Sequence, residues 1–319
     1  MPSIGSRAST RALVGIAALA AILGSDPAVG ADKSRLKWVR SIYIDAQGVG
    51  LKHPEGLACG NDYLVVADTG NRRLLRFSYQ GDSVTAEGEF PLPPKSSPIR
   101  VQVNSKGDIY ALDGRERRIA VISATGEDKG ALKPKGVPFS TQMVAKSFAI
   151  ARNDDIYILD VFSGHVLVLD AAGQYLRHVR FPKTYGFFSD LAVDQEGAIF
   201  ILDGVEAVVY SAARGGDSFS PFTESMKDTM NFPTSLSVDG RGILYLVDQY
   251  GGGLALVGRD GEFLGRKLRM GWNESGLFYP SEICISRNGN FFIADRNNSR
   301  VQWFTIGKRG SDAGSEGDR

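Results

Sequence analysis

Short apolar runs separated by turn residues recur along most of the chain. One pattern appears six times: an apolar strand, a turn with Gly or Asn, and a second apolar strand that ends in Asp. The terminal Asp residues lie 45, 47, 43, 45 and 47 residues apart; they are Asp68, Asp113, Asp160, Asp203, Asp248 and Asp295. A third apolar strand follows each Asp, and a more polar fourth strand follows in most units. Units of this length with four short strands predict an all-β fold, a six-bladed β-propeller.

The two ends of the repeated region differ from its middle. The sixth unit has no fourth strand of its own, because the sequence after Ile306 is polar and rich in Gly, Ser and Asp. Residues 38–44 form an apolar strand that precedes the first unit. We expect this N-terminal strand to complete the last blade, since a closed ring leaves no long unpaired sheet edge. The sequence therefore predicts a propeller over residues 32–307 and a disordered polar tail over residues 308–319.

Units 1 and 6 carry a more specific motif. Unit 1 reads Pro54-Glu-Gly-Leu-Ala and then Val66-Ala-Asp-Thr-Gly-Asn-Arg-Arg73, and unit 6 reads Ile293-Ala-Asp-Arg-Asn-Asn-Ser-Arg300. These motifs resemble those of the NHL-repeat propeller family, and the resemblance extends over residues 38–306. Units 3 to 5 lack the Asn-x-Arg turn. The resemblance implies the fold rather than an activity, because one fold hosts many functions.

The first 31 residues read as a targeting segment. Arg7 and Arg11 precede an apolar stretch at residues 12–24, and small residues follow up to Ala31. This order is typical of a signal peptide cleaved near Ala31, with an uncleaved anchor as the alternative. We therefore expect an exported protein, periplasmic or extracellular, with no transmembrane span in the mature chain. Without residues 1–31 the basic and acidic residues are equal in number, which argues against a nucleic-acid partner.

Equivalent positions of the six units can be compared as rings. The position before the first apolar residue of each inner strand reads Gly56, Arg100, Ser147, Asp190, Ser235 and Glu282. Packing does not require charge there, so Arg100, Asp190 and Glu282 stand out on units 2, 4 and 6, and Glu55 and Lys146 lie one position earlier. We interpret them as a polar channel mouth for a small ligand or a cation. Solvated or mutually paired charges in a wet channel are the alternative.

The turns after the repeated Asp form a second ring. Units 6, 1 and 2 become neighbours on closure, and their turns carry Arg72, Arg73, Arg115, Arg117, Arg118, Arg296 and Arg300. Units 3 to 5 offer Phe162, His165, Glu206 and Tyr250 instead. Arg73, Arg118 and Arg300 occupy the Arg position of the NHL turn, so we expect them to bind structural carboxylates. The other four predict a basic arc that binds an anionic partner.

These patterns favour a non-catalytic binding scaffold. Its expected partner is a protein, with an anionic glycan or a small ligand as alternatives, and it recognises that partner through one face and the channel mouth. The predicted binding residues are Glu55, Arg72, Arg100, Arg115, Arg117, His165, Asp190, Tyr250, Glu282 and Arg296. We expect the repeated Asp residues to be structural, since a catalytic group would not recur six times. No catalytic residue, metal ligand or cofactor is predicted.

The alternative function is a metal-dependent hydrolase or lyase at the channel mouth. It would resemble the sugar lactonases, with calcium on inward carboxylates such as Asp190 and Glu282, or the peptidylglycine lyases, which hold zinc on several His. Of the three His residues, His53 and His165 are expected at the same mouth, and His178 out of reach on an outer strand. No HExxH, Walker, CxxC or G-x-S-x-G motif is present.

Cys59 and Cys284 are the two cysteines of the chain. They lie on inner strands of units that become neighbours on ring closure. A one-step offset in register should direct them to opposite strand faces, which favours two buried free thiols. A ring-locking disulfide is the alternative, and an oxidising compartment would permit it.

Overall fold

The computed structural model describes residues 35–139 and 142–307. These residues contain 26 strands and two single-turn 3₁₀ helices, Thr69–Asn71 and Arg296–Asn298. None of their helices is long and apolar enough to cross a membrane. The predicted signal peptide and the predicted polar tail lie outside the described residues.

Six antiparallel sheets of four strands form the blades. Blade 6 begins with the N-terminal strand β1 (Arg35–Ile42). Blade 1 contains β2 (Gly56–Cys59), β3 (Tyr63–Asp68), β4 (Arg73–Gln80) and β5 (Ser83–Phe90). Blade 2 contains β6 (Pro98–Val103), β7 (Ile109–Asp113), β8 (Ile119–Ile122) and β9 (Asp128–Ala131). Blade 3 contains β10 (Ala145–Ile150), β11 (Ile156–Asp160), β12 (His165–Leu169) and β13 (Tyr175–Arg180).

The remaining blades follow the same plan. Blade 4 contains β14 (Phe188–Val193), β15 (Ile199–Asp203), β16 (Val208–Ala212) and β17 (Ser220–Pro221). Blade 5 contains β18 (Pro233–Val238), β19 (Leu244–Asp248), β20 (Gly253–Val257) and β21 (Phe263–Lys267). A short parallel pair, β22 (Arg269–Met270) and β23 (Gly276–Leu277), lies between blades 5 and 6. Blade 6 is completed by β24 (Ile283–Ile285), β25 (Asn290–Asp295) and β26 (Arg300–Gly307).

The antiparallel order gives the ring two distinct faces. Each inner strand starts on the face that carries the turn after the repeated Asp and the loops between blades, and we call this the Asp face. The opposite face carries the tight turns between first and second strands, such as residues 60–62, and we call it the hairpin face. The two faces therefore draw on different segments of every repeat.

The core consists of six clusters, each lying between two adjacent blades. In β3, Leu64 and Val66 pack towards blade 6, whereas Val65 and Ala67 pack towards blade 2. A second strand is thus buried on both of its faces. This burial explains why the second strands read as continuous apolar runs rather than as an alternation of apolar and polar residues.

Two features close the ring at blades 6 and 1. Strand β1 pairs antiparallel with β26 and so supplies the fourth strand of blade 6, which confirms the predicted six-bladed fold and its closure. A disulfide joins Cys59 to Cys284, whose Cα atoms are 5.8 Å apart. The expectation of two free thiols is therefore wrong. Neighbouring blades present opposite faces to each other, so an offset of one residue directs the two side chains together rather than apart.

Candidate functional site

The repeated Asp residues hold the Asp face together. Each carboxylate accepts a hydrogen bond from a backbone N–H of the loop that leads into its own blade. Asp203, for example, accepts from Phe187 N at 3.0 Å and also from Val205 N and Glu206 N of the following turn. A carboxylate that accepts several backbone donors fixes a turn. The structure confirms that these residues are structural.

Arg100, Asp190 and Glu282 meet inside the channel. Nη2 of Arg100 lies 2.7 Å from Oδ1 of Asp190 and 3.2 Å from Oε1 of Glu282. Nε of Arg100 donates to the carbonyl oxygen of Phe148 at 3.4 Å, and the Ser147 hydroxyl donates to Oδ1 of Asp190 at 2.6 Å. The charges on blades 2, 4 and 6 therefore pair with one another.

Backbone N–H groups also donate to the carboxyl oxygens of this cluster. Leu191 N and Leu236 N donate to the two oxygens of Asp190 at 2.7 and 2.9 Å. Leu57 N donates to Oε2 of Glu282 at 2.9 Å. One edge of each inner strand faces the channel without a neighbouring strand, so its buried N–H groups need other acceptors. Asp190 and Glu282 supply them, across blade boundaries for Leu236 and Leu57 and within the same strand for Leu191.

Burial shifts the titration of this cluster. Asp190 is fully buried and Glu282 is 2% exposed. Burial, together with the charge of Asp190, raises the pKa of Glu282 to about 8, against the opposing effect of Arg100. Burial also disfavours the charged guanidinium, but Asp190 and Glu282 outweigh it and raise the pKa of Arg100. With a pKa of about 8, the Glu282 carboxyl group is mainly protonated at neutral pH.

Gly56, Ser147 and Ser235 fill the other ring positions. A Cβ atom at Gly56 would come within 2.8 Å of the Arg100 Cα, so the close approach of blades 1 and 2 requires glycine there. The buried hydroxyl of Ser235 has no hydrogen-bond partner among the described residues.

Contrary to the prediction from sequence, the ring does not form an open mouth on the Asp face. It forms the inner end of a cavity of about 740 Å³ that opens on the hairpin face. Arg100 and Glu282 line this cavity, together with the inner strands beyond them, the six hairpin turns and both disulfide cysteines. Glu55 and Tyr250, predicted to share a site with the ring, do not line it. The ring lies at the Asp-face end of the channel, where the inner strands begin, but the cavity reaches it from the hairpin face.

The basic arc on the Asp face is smaller than predicted. Arg296 forms a 3.0 Å ion pair with Glu55, and its carbonyl oxygen lies 3.3 Å from Nδ1 of His53. The side chains of Arg72 and Arg115 are exposed, and no described residue pairs with either. Two unpaired cations on blades 1 and 2 therefore remain at the surface.

Arg117 and Lys146 lie near the channel on the same face. Lys146 Nζ lies 5.0 Å from the ring centre of Phe187. Burial, and then the nearby Arg117, lower the pKa of Lys146. Nη1 of Arg117 is buried without a hydrogen-bond partner among the described residues. The two cations are close enough to repel each other.

The turn arginines of the NHL motif behave differently in different blades. Arg73 binds Asp68 and Asp45 at 2.8 and 2.6 Å, and Arg300 binds Asp295 at 2.7 Å. Arg118, in contrast, pairs with the exposed Glu116 at the surface. The prediction of a structural carboxylate is confirmed for the first two and wrong for Arg118.

The three histidines do not form a shared site. His165 lies on the third strand of blade 3, stacked on Phe139, and its ring centre is 4.6 Å from that of His178. His178 is therefore in contact with His165, contrary to the expectation that it is out of reach. His53 lies between blades 6 and 1. No group of three His, Cys, Asp or Glu residues in the described part of the chain could hold a metal ion.

Exposed apolar side chains concentrate on the Asp face, a feature that the repeat analysis missed apart from Phe162 and Tyr250. The described residues include thirteen large apolar side chains that are exposed, and eleven lie in the turns and inter-blade segments of this face: Tyr43, Ile44, Val49, Val161, Phe162, Tyr185, Phe187, Val205, Tyr250, Met270 and Trp272. Tyr250 also packs against Phe232 and Tyr279, at ring-centre distances of 5.3 and 5.4 Å. The sequence signal that could have revealed these side chains is the presence of apolar residues in otherwise polar inter-blade loops.

Comparisons with known proteins agree with this architecture. The NHL repeat family model matches residues 279–304. A search of curated protein sequences gives no significant match.

Several solved structures are similar in fold. Virginiamycin B lyase from Staphylococcus aureus is 13% identical, with a TM-score of 0.59 over 86% of this chain and 99% of the lyase. A gluconolactonase from Xanthomonas campestris is 16% identical, with a TM-score of 0.61 over 87% of this chain and 91% of its own. A PQQ-bound aldose sugar dehydrogenase from Streptomyces coelicolor is 14% identical, with a TM-score of 0.60 over 86% of this chain and 99% of its own. Such low identities establish fold alone. The chain is a six-bladed β-propeller that carries an NHL repeat in its last blade.

Proposed function

We propose that this chain is an exported binding propeller that recognises a partner protein through its Asp face. The observation that carries the proposal is the concentration there of eleven of the thirteen exposed large apolar side chains. A concentration of exposed apolar side chains on one face of a folded domain indicates an interaction site. Aromatic residues and arginine are also the residue types enriched at interfaces between proteins.

The charged side of the face supports specificity. Arg72 and Arg115 on blades 1 and 2 are exposed and unpaired among the described residues. They lie on the same face as the exposed apolar residues Phe162, Val205 and Tyr250 of blades 3 to 5. A partner with an apolar patch bordered by carboxylates would complement both parts of the surface. The Cys59–Cys284 disulfide supports export, because disulfides persist in oxidising compartments.

A pull-down with matched variants tests the proposal. The test protein carries Phe162→Ser, Val205→Ser and Tyr250→Ser. The control carries Leu176→Ser and Phe263→Ser, which remove exposed apolar side chains from fourth strands instead. The propeller is the immobilised bait, and the exported proteins of the source cells are the pool from which a partner is captured. The captured protein is then purified, and its affinity is measured by calorimetric titration. We expect one partner to bind the wild type and the control equally and the Asp-face variant at least tenfold more weakly.

Two results would contradict the proposal. One is equal affinity of the partner for the Asp-face variant and the wild type, with both proteins equally stable. The other is loss of binding in the control variant alone, which would place the interface on the outer strands. The charge-reversal variant Arg72→Glu, Arg115→Glu measures the electrostatic contribution to partner binding. We expect it to associate with the partner more slowly, at a rate that depends less on salt.

The comparisons favour a second candidate, an enzyme at the channel. Three similar structures are named as a lyase, a gluconolactonase and a sugar dehydrogenase. In this chain the carboxylates that would serve are Asp190 and Glu282. A divalent cation does not fit them, because Arg100 already occupies the space between the two and backbone donors hold the other oxygens. The proposed binding function needs no cofactor.

Metal titration separates the two candidates. Calcium, magnesium and zinc are each added to chelator-treated protein, and the bound metal and the melting temperature are measured. A hydrolase or lyase that depends on one of these metals requires a stoichiometric ion, and binding to the native state should raise the melting temperature. The binding proposal expects no stoichiometric ion and an unchanged melting temperature for all three metals.

A further inference from the structure

Five aromatic side chains gather on the Asp face where blade 5 meets blade 6. They come from the loop before β18, the turn after Asp248 and the segment between the two blades, and they are Phe232, Tyr250, Trp272, Phe278 and Tyr279. The short pair β22 and β23 in that segment has no counterpart in the other described blades. The cluster therefore arises where the chain departs from the repeat.

The five rings form an unbroken row. Phe232 packs against Tyr250 at a ring-centre distance of 5.3 Å, and Tyr250 packs against Tyr279 at 5.4 Å. Phe278 continues the row, 5.1 Å from Tyr279 and 5.5 Å from Trp272. Because each ring is held by a neighbour, little side-chain freedom is lost when a ligand covers the row.

The exposure of the rings gives the row the shape of a shallow groove. Trp272 is 73% exposed and Tyr250 is 44% exposed, whereas Phe278 and Tyr279, which lie between them in the row, are half-buried. The two exposed rings thus form walls and the two half-buried rings form the floor. The ring of Tyr279 meets those of Tyr250 and Phe278 at 74° and 87°. The surface is therefore ridged and offers no flat platform on which a sugar ring could stack.

The free polar groups of the groove can donate hydrogen bonds. The hydroxyl groups of Tyr250 and Tyr279 have no hydrogen-bond partner among the described residues. The carbonyl oxygens of Asn273, Leu277 and Phe278 already accept hydrogen bonds from other residues. A ligand that brings carbonyl acceptors and few N–H donors would pair with the hydroxyl groups and leave no donor of its own unsatisfied.

The charges beside the groove balance each other. Arg269 and Glu274 lie on either side of Trp272 along the chain, both are exposed, and neither pairs with a described residue. One free charge of each sign gives no preference for an ionic ligand. An uncharged ligand with apolar rings therefore fits the groove better than a charged one.

A proline-rich segment has each of these properties. Proline has no backbone N–H, and the carbonyl groups of a polyproline II helix make no internal hydrogen bonds. Grooves lined with aromatic side chains recognise such helices, whose preformed backbone loses little entropy on binding. The four steps of the row are 5.1–5.5 Å each, so about six residues, at roughly 3.1 Å per residue, span it.

We propose that this groove binds a proline-rich segment of the partner protein as a polyproline II helix. The proline rings pack between Trp272 and Tyr250, and the hydroxyl groups of Tyr250 and Tyr279 donate to carbonyl oxygens of the segment. This proposal rests on the partner-binding function proposed for the Asp face, and it names the chemistry that the partner presents there.

Fluorescence titration with defined peptides tests the groove. The chain has three tryptophans, of which Trp303 is 1% exposed and Trp38 is half-buried, so iodide should quench mainly the exposed Trp272. The probe is a capped decaproline peptide, and the control is a capped Gly-Ser peptide of the same length. We expect decaproline to protect Trp272 from iodide with a Kd between about 10 μM and about 1 mM, and the control to bind at least tenfold more weakly.

Two results of this titration would overturn the proposal. One is the absence of protection by decaproline, or equal protection by the two peptides. The other is stronger protection by cellohexaose than by decaproline, which would assign the groove to a glycan.

Variants test the roles of the rings and of the hydroxyl groups. Tyr250→Phe with Tyr279→Phe keeps both rings and removes both hydroxyl groups, and we expect decaproline to bind at least fivefold more weakly at an unchanged melting temperature. Trp272→Ala removes one wall and should weaken binding at least tenfold, measured by calorimetry. The control Phe263→Ser removes an exposed ring from the outer strand of blade 5 and should bind as the wild type does. Decaproline binding that Trp272→Ala leaves intact in a folded protein would overturn the proposal.

Competition distinguishes failure of the groove from failure of the partner surface. A partner captured by the wild-type propeller should be displaced by decaproline. A partner that depends on the Asp face but is not displaced would overturn the groove proposal and leave the partner surface supported. Decaproline binding without any captured partner would support the groove alone.

Discussion

The two faces of the ring are made from the same six repeats but expose different chemistry. On the Asp face, a carboxylate in every blade ties the turn to the preceding loop, and the variable residues around it include most of the exposed apolar side chains. On the hairpin face, short turns surround a cavity that ends at Arg100 and Glu282. Repeated positions thus maintain the fold, and candidate sites occur where one blade departs from the repeat.

The difference also concerns what the charges do. Charged residues of the Asp face such as Arg72 and Arg115 remain at the surface. Charged residues at the inner end of the cavity are buried and depend on one another across blades 2, 4 and 6. The same residue type should therefore have very different energetic importance in the two regions.

The largest expected effect is a comparison of Arg100→Met with Arg72→Met. Loss of Arg100 leaves the buried Asp190 without its counterion, which should cost about 3–5 kcal/mol of unfolding free energy. Arg72 is exposed, so its substitution should change the unfolding free energy by less than about 0.5 kcal/mol. Urea denaturation measures both. Equal destabilisation by the two substitutions would contradict the contrast between buried and surface arginines.

The second expected effect concerns the wall of the cavity. The variant Cys59→Ser, Cys284→Ser removes a disulfide that joins the first and last blades across 225 residues. We expect it to lose roughly 2–5 kcal/mol of unfolding free energy, because the unfolded chain is no longer cross-linked. Dithiothreitol should lower the denaturation midpoint of the wild type and leave that of the double variant unchanged. A wild-type midpoint that is insensitive to complete reduction would contradict this prediction.

The fold could be predicted from sequence because its determinants are local and repeated. Each apolar run and each terminal Asp recurs at nearly the same interval, and the orphan strand at residues 38–44 indicated ring closure. The structural role of Asp203 and its equivalents followed from the same repetition. A prediction based on repetition is robust because an error in one unit does not alter the other five.

The candidate sites were harder to predict because they depend on contacts between distant blades. Arg100 and Asp190 are 90 residues apart, and their pairing depends on where each side chain points within the channel. The sequence identified Arg100, Asp190 and Glu282 as unusual but not the face from which they are reached. The disulfide prediction was wrong because facing blades contact through opposite strand faces. Trp272 lies beside the short β22–β23 pair, which has no counterpart in the other described blades, so a comparison of repeats could not reveal it.

The third effect tests the close packing around the channel. Gly56→Ala would place a Cβ atom 2.8 Å from the Cα of Arg100 and 3.0 Å from the Cβ of Ala67. We expect a loss of about 1–3 kcal/mol in unfolding free energy, because backbone must move to accept the methyl group. Gly88→Ala is the matched control, since its new Cβ would meet no atom within 4 Å. A tolerated Gly56→Ala with full stability would show that blades 1 and 2 can separate at the channel without cost.

The fourth effect is a contrast in pH dependence between the two regions. Although burial opposes it, backbone hydrogen bonds from Glu116, Ser97 and Arg115 lower the pKa of Asp113 on the Asp face. Its contribution to stability is therefore present above the unfolded pKa of 3.8 and is lost as the pH falls through the lower folded value.

Glu282 in the channel should behave in the opposite way. Its folded pKa, about 8, is above the unfolded value of 4.5, so its protonated form stabilises the fold below pH 4.5 and that stability is lost as the pH rises towards 8. The loss should be at most about 1.4 kcal/mol per pH unit. Glu282→Gln keeps a neutral side chain at all pH values and should remove this alkaline decline while leaving the acid decline of the Asp-face carboxylates intact. Denaturant midpoints from pH 3 to pH 9 measure both limbs, and an unchanged alkaline limb in Glu282→Gln would mean that Glu282 is ionised beside Arg100 at neutral pH.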